Sequence, residues 1–347
     1  MIKFPSIEQF RSTIHHVKNH TRYAGKDADG NAVYDHSRAL PTLKFRGTVK
    51  LHGTNAGIVY DIATDSFIYQ SRERELSLTS DNAGFMLAQM KNEDIWRNIA
   101  VQVVNNNLPQ HRDVITKVAI FGEWCGSGIQ KGVALTQLPK MFIIFSVKVI
   151  FEDSTSQWIP IDKILLHLPD RNLYTIDTFP NYEIDIDFNF PEIAQNKMIE
   201  ITEAVEAECP VGKHFGVSGI GEGVVWTCVT PGYNDSGTWF KVKGEKHSSS
   251  KVKTLAAVDV EAVENMKVFI ESVVTESRLE QGLDNLVREQ LLPFDMKSLG
   301  DFIRWVYNDV VKEEADTIVA NQIDTKKLGS AVANVARPWY IQRYNAS

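Results

Sequence analysis

The hexapeptide "KLHGTN", residues 50–55, sets one lysine, one histidine and one asparagine around a glycine, directly after a run that reads as a strand. An ammonium there has two readings. It is a solvated hairpin tip, or it is a covalent nucleophile, because neighbouring positive charge and desolvation both help a lysine lose the proton that blocks attack. Gly53 would let the backbone come close to a phosphate, with His52 and Asn55 adding donors. Four further stretches could serve the same chemistry. In "FGEWCGSGIQKGV", residues 121–133, Glu123 ends an apolar strand and is followed by Gly126, Gly128 and Gly132, which form either an ordinary turn or a loop folded around a ligand. Phe145 in "MFIIFSVKV" either fills the core or stacks on a nucleobase. Glu222, between two glycines in "GEGVVWTC", is placed for a metal or a ribose hydroxyl. Lys241 and Lys243 in "WFKVKGEKH" alternate with Val242 and so point to one face. A phosphate between them would relieve their repulsion; otherwise they guard a solvated edge strand.

Taken in chain order, these stretches resemble the nucleotidyl motifs of the covalent nucleotidyltransferase superfamily, which comprises ATP-dependent DNA ligases, RNA ligases and capping enzymes. The match is KxxG at Lys50, Gly-Glu at Glu123, an aromatic strand at Phe145, EGxV at Glu222 and KxK at Lys241 and Lys243. The wording is closer still to the RNA ligase 2 family: "KLHGTN" is similar to its KxHGTN, "FGEWCGSGIQ" to its FGExxGxGIQ, and "NVARPWY" to its closing Arg-Pro-Trp or Arg-Pro-Ala segment. The resemblance implies that Lys50 takes AMP from ATP as a lysyl-AMP adduct, that AMP passes to an RNA 5′-phosphate, and that a 3′-hydroxyl then displaces it. It implies catalytic roles for Lys50, His52, Glu222, Lys241 and Lys243, the last two also lowering the Lys50 pKa. It places the nucleotide among Leu51, Asn55, Glu123 on the ribose and Phe145 on the adenine. Arg72 in "YQSRERE", or alternatively Arg74, would bind the 5′-phosphate or the strand near the break, and Mg²⁺ or Mn²⁺ would sit near Glu222 or Glu123. The implied partner is RNA with 5′-phosphate and 3′-hydroxyl ends, as a nicked duplex, met by a monomer. One position departs from the family: an acidic residue often follows the stacking aromatic, and here Ser146 does.

The elements that must hold these residues are legible in part. Pro5 to Lys18 has helical spacing. "TLKFRGTVKL", "AGIVYDI" and "SFIYQS" are strand-like runs parted by turn residues and predict an antiparallel meander. Residues 81–107 read as helical, "VITKVAIFGEW" and "KMFIIFSVKVIF" as strands, 193–208 as a helix, and "GEGVVWTCV" with "GTWFKVKG" as a strand pair. Residues 150–200 give little signal. Beyond "HSSSKVKT" the texture becomes helical: Val263, Met266, Ile270 and Val273 share a face, as do Leu299, Ile303, Val306 and Val310, and Leu328, Val332 and Val335. Asp324 or Thr325 would cap the last helix and Pro338 would stop it. The expected class is α+β: an antiparallel-sheet, ATP-grasp-like nucleotidyltransferase domain over 1–253, then a small all-helical domain over 254–347.

The totals narrow the function. A chain of 347 residues with a net charge of −7 does not coat nucleic acid indiscriminately, so RNA must meet a local basic patch such as 241–253. The tail does not supply one, since from Ala256 onward ten Lys and Arg face fifteen Asp and Glu. Three scattered cysteines and the lack of a long apolar run predict a soluble protein of the cytoplasm or another intracellular compartment, with reduced thiols and no membrane partner. A DNA ligase or capping enzyme would share the five stretches but continue into a five-stranded barrel, which helical spacing does not provide. A non-catalytic nucleotide- or RNA-binding repair factor on a ligase fold would not need Lys50, Glu222 and Lys243 intact.

Overall fold

The structure, a computed structural model, describes residues 1–35, 37–164, 166–247 and 262–346. The chain divides into two compact units, Met1–Gly244 and Glu245–Ser347. The boundary read at Lys253 lies outside the described residues, as do residues 248–253 of the basic patch.

In the first unit, helix α1 (Phe10–Arg22) precedes a hairpin of β1 (Tyr23–Lys26) and β2 (Ala32–Tyr34). The helical spacing read from Pro5 becomes a helix only at Phe10, because the segment before it is drawn into extended contacts. Ile2 N–H donates to Gln70 Oε1 at 3.0 Å, and Glu8 O accepts from Lys241 N–H at 2.9 Å. Next come β3 (Thr42–Lys50), β4 (Thr54–Asp61), β5 (Ser66–Ser71), α2 (Phe85–Gln89) and α3 (Glu93–Asn107). After them follow β6 (Ile115–Cys125), β7 (Met141–Phe151), β8 (Ser156–Ile159), β9 (His167–Leu168), β10 (Leu173–Thr175) and β11 (Asn181–Asp187). The unit closes with α4 (Glu192–Ala207), α5 (Pro210–His214), β12 (Gly223–Cys228) and β13 (Phe240–Lys243).

These strands form two main sheets. A seven-stranded sheet runs β5-β4-β6-β7-β10-β9 with β8 beside β7, and a four-stranded sheet runs β11-β3-β12-β13. The pairing of β10 with β7 is parallel, while the other pairs in the two sheets are antiparallel. The expected three-strand meander is thereby corrected. β4 and β5 do pair, but β3 lies in the other sheet between β11 and β12. Residues 51–53 carry the chain from one sheet to the other instead of turning a hairpin. Gly53 permits that crossing, since a Cβ there would lie 2.4 Å from Trp124 O.

Period-2 alternation assigns the buried faces. β3 sends Leu43, Phe45 and Val49 into a core with Trp226, Phe240 and, from α4, Met198 and Val205. The larger sheet sends Ile58, Ile120 and Phe142 against Phe85 of α2 and Trp96 and Val103 of α3.

The described residues of the second unit contain helices and turns and no strand. They are α6 (Ala262–Val273), α7 (Glu276–Asp284) with a π-helical continuation at Asn285–Glu289, α8 (Leu299–Glu313), α9 (Ala315–Ala320) and α10 (Thr325–Asn345). The periodic positions Ile270, Val273, Val306, Val310, Leu328 and Val332 meet in one core, with Met266, Leu299 and Ile303 at its margin. The Val263 side chain lies outside the described set. Val335 is 36% exposed, and Ala336 takes the core position instead. Pro338 does not end α10, which runs through it to Asn345. The residues beyond it are anchored: Trp339 stacks on Phe302 at 5.7 Å, and the buried Tyr340 donates its hydroxyl to Asp295 O at 2.7 Å. Asp324 is the cap, accepting from Lys326 N–H at 2.9 Å. Among the described residues no helix is long and apolar enough to cross a membrane.

Arg278 is fully buried in this unit and donates to Asp309 Oδ2 at 2.9 Å and Glu314 Oε1 at 3.2 Å. Arg278→Met would leave both carboxylates facing a thioether, at a cost of about 3–5 kcal/mol in denaturant unfolding. A cost under about 1 kcal/mol would show that this network does not hold the helices together.

Candidate active site

Strand register builds the site. Gly223 on β12 stands opposite Lys50 on β3 and Lys243 on β13, so one face carries the row Lys50, Gly223, Lys243. The next row on that face is Thr48, Val225, Lys241. The two outer backbones are about 9–10 Å apart, two strand spacings, and Gly223 puts no side chain between them. Gly223 has a φ of 147°, and a Cβ there would lie 2.2 Å from Val242 O, so a side chain would force β13 away.

Across that gap both lysines converge on Glu222, which is 4% exposed. Lys50 Nζ is 2.7 Å and Lys243 Nζ 3.2 Å from the same oxygen, Oε1. The other oxygen, Oε2, lies 3.0 Å from His52 Nδ1. Burial pushes the Glu222 carboxyl up, but the charges of Lys50 and Lys243 and the hydrogen bond to His52 outweigh it and hold the group well below the usual carboxylate range. The cationic company expected for Lys50 is thus half of the picture. Its nearest partner is an anion, which it shares with Lys243.

Glu123 reaches the site from the larger sheet, where it stands opposite Asn55. Its Oε1 accepts from Gly53 N–H at 2.9 Å, while Gln130 Nε2 donates to Gly53 O at 3.1 Å. Both polar groups of the crossing glycine are therefore clamped, which fixes Lys50 and His52 relative to the larger sheet. Burial pushes the Glu123 carboxyl up to about 7, with the charge of Lys50 opposing the rise and that of Glu222 reinforcing it.

The other expected residues border this cluster. Phe145 is the extra residue of a bulge in β7, where Phe121 faces Ser146 and Gly122 faces Ile144; its half-buried ring lies 5.0 Å from that of Phe4. Arg72, with a side chain 48% exposed, touches Ser6 Oγ at 3.3 Å and Glu73 at 3.6 Å, and its charge is felt at Glu123. Arg74 instead donates to the carbonyls of Ser80 and Asp81, a loop-holding role that separates it from Arg72. Leu51 has its side chain in the core, which leaves only its backbone for a nucleotide. Sequence reasoning missed Gln130 as the clamp on Gly53, although it stood in the quoted "GIQ", and missed Phe4, for which no local signal exists.

Among the described residues no three His, Cys, Asp or Glu side chains come together to hold a metal by themselves. Glu222 and Glu123 offer hard oxygen donors in small number. That suits a cation such as Mg²⁺ or Mn²⁺, which keeps water and phosphate oxygens in its shell.

Comparison with known proteins gives one family: the family model described as RNA ligase matches residues 43–243. No curated protein matches the chain. Among solved structures, a Naegleria gruberi RNA ligase with pyrophosphate aligns at a TM-score of 0.42 and 19% identity over 71% of this chain and 56% of that one. A lysine-to-alanine mutant of that ligase with ATP and Mn gives 0.42, 18%, 71% and 57%. An apo aspartate-to-alanine mutant gives 0.43, 20%, 71% and 57%. The chain thus covers a little more than half the length of these structures.

The raised Glu123 carboxyl has a consequence for stability. Between the ordinary glutamate value of 4.5 and about 7 the folded chain binds more protons than the unfolded one, so stability falls as pH rises through that window. Glu123→Gln keeps an acceptor for Gly53 N–H and removes the charge. In urea unfolding at about pH 8 it is expected to be more stable than the wild type by ~1–3 kcal/mol, with the gain shrinking toward about pH 5. Equal stability at the higher pH would contradict the assignment.

Proposed function

This chain belongs to the RNA ligase family, and from that premise we propose that it is an ATP-dependent RNA ligase that works through a lysyl-AMP intermediate and seals nicks in duplex RNA, as a repair enzyme. The observation that carries the reading is the convergence of two half-buried lysines, Lys50 and Lys243, on a single anionic atom, Oε1 of the buried Glu222, across a row of three strands. A pair of ammonium groups already arranged around one negative oxygen is arranged for a phosphate as well.

In the first step Lys50 Nζ forms a bond to the α-phosphorus of ATP while the bond to pyrophosphate breaks. Its ammonium, held 2.7 Å from Glu222 Oε1, must first give up a proton to solvent as the triphosphate arrives. The arriving triphosphate competes with Glu222 for Lys243 and, one row along, Lys241, so charge is neutralised by groups held in place before the reaction. Glu123, opposite Asn55 across β6 and β4, faces the ribose; Phe145 takes the adenine; His52 and Asn55 remain at the phosphates. A divalent cation held near Glu222 or Glu123 would add positive charge at the phosphates. In the second step the N–P bond breaks as the RNA 5′-phosphate takes the AMP, and Arg72 meets that phosphate. A 3′-hydroxyl then attacks the activated phosphate and AMP leaves.

Selection for RNA rests on the A-form shape and the 2′-hydroxyl groups. The helical unit serves the steps that engage the broken strand. A net charge of −7 makes that engagement weak and salt-sensitive.

The test is labelling by α-labelled ATP and Mg²⁺ without RNA. The wild type should retain label through denaturing electrophoresis, and Lys50→Ala should lose it by roughly 10³-fold or more. Absence of label on the wild type would return the chain to a nucleotide-binding repair factor, and preference for GTP would point to capping chemistry.

A further inference from the structure

We propose that the extended segment of residues 2–8 is a strap that completes the nucleotide site, in which Phe4 is a positioning residue for Phe145. The proposal rests on the reading of Phe145 as the base-stacking ring and adds the group that sets it. Alternate residues of the strap each hold a different part of the site. Ile2 is paired in both directions with the buried Gln70 side chain: its N–H donates to Oε1 at 3.0 Å and its carbonyl accepts from Nε2 at 2.6 Å. Phe4 lies among four rings, with centroids at 5.2 Å from Phe121, 5.0 Å from Phe145, 5.7 Å from Trp158 and 5.8 Å from Trp239. Ser6 Oγ accepts from Arg72 Nη2 at 3.3 Å. Glu8 donates its N–H to Trp239 O at 3.3 Å and accepts from Lys241 N–H at 2.9 Å, lying along β13 like an added strand residue.

The strap therefore ties β5, the Phe145 bulge, Arg72 and the strand of the two lysines together. Phe145 needs such a support, because a bulged residue lacks the cross-strand neighbour that fixes a ring in a regular ladder. The separation also decides which role Phe4 plays. A base sandwiched between two rings needs about 7 Å from centroid to centroid, two contacts of ~3.5 Å. At 5.0 Å and 59° between the ring planes, Phe4 packs directly against Phe145 and no base fits between the two, so Phe4 supports the ring instead of forming half of a sandwich. Loss of the Phe4 ring should loosen the grip on ATP and leave the chemistry at saturating ATP nearly untouched.

The experiment is calorimetric ATP binding with Mg²⁺ to the full chain, set beside the kinetics of lysine labelling. Phe4→Leu, which keeps an apolar side chain, should raise the ATP Kd and KM by ~5–10-fold with kcat within ~2-fold, while Phe4→Tyr should restore both. On the wild type, ATP should slow hydrogen exchange at the amides of Ile2, Glu8 and Lys241. A Phe4→Leu chain that binds ATP like the wild type, one that loses kcat with KM unchanged, or unaltered exchange along the strap would overturn the proposal. A wild type that binds ATP and shows these effects yet takes no label would overturn the ligase reading and leave the strap standing. A wild type that binds no ATP would overturn both.

Discussion

The buried carboxylate of Glu222, shared by Lys50 and Lys243, is the constraint on which the rest of the site depends. Two ammonium groups on one row of a sheet repel each other, and a carboxylate removed from water is costly alone; together each removes the other's penalty. The arrangement needs three strands in one register, a glycine at the centre of the row, and a carboxylate placed one residue before that glycine. Gly223, pressed against Val242 O, and the neighbouring Glu222 meet those demands. Two ammonium groups around one carboxylate oxygen make a charge pattern that a phosphate oxygen would also satisfy.

The second organising feature is the crossing at residues 51–53. β3 carries Lys50 in the small sheet and β4 carries Asn55 in the large one, so the two come from different layers joined by three residues. Glu123 and Gln130 hold Gly53 by its N–H and its carbonyl, which keeps the layers in one relation. Glu123 holds Gly53 while its own burial, with the charge of Glu222 adding to it, pushes its carboxyl up to about 7.

Much of the site could be read from the sequence because its parts are local: a lysine ending a strand, a glutamate between glycines, two lysines at period 2. What could not be read is pairing across the chain. The runs before and after "KLHGTN" look like one meander, since alternation says nothing about which sheet a strand joins, and residues 150–200 hide β11, the edge strand that holds β3 in the small sheet. Helical spacing from Pro5 gave way to extended contacts with Gln70 and Trp239, and Pro338 was carried inside α10 by the burial of Tyr340. In each case tertiary packing outweighed a local preference that was correctly read.

The central claim is that Lys50 and Lys243 surround one anion site that Glu222 fills until nucleotide arrives. A crystal structure with a non-hydrolysable ATP analogue and Mg²⁺ tests it directly. The account predicts the α-phosphate between the two lysines, with Lys50 Nζ facing the phosphorus and its contact to Glu222 opened. Nucleotide bound elsewhere, with both lysines still closed on Glu222, would contradict it.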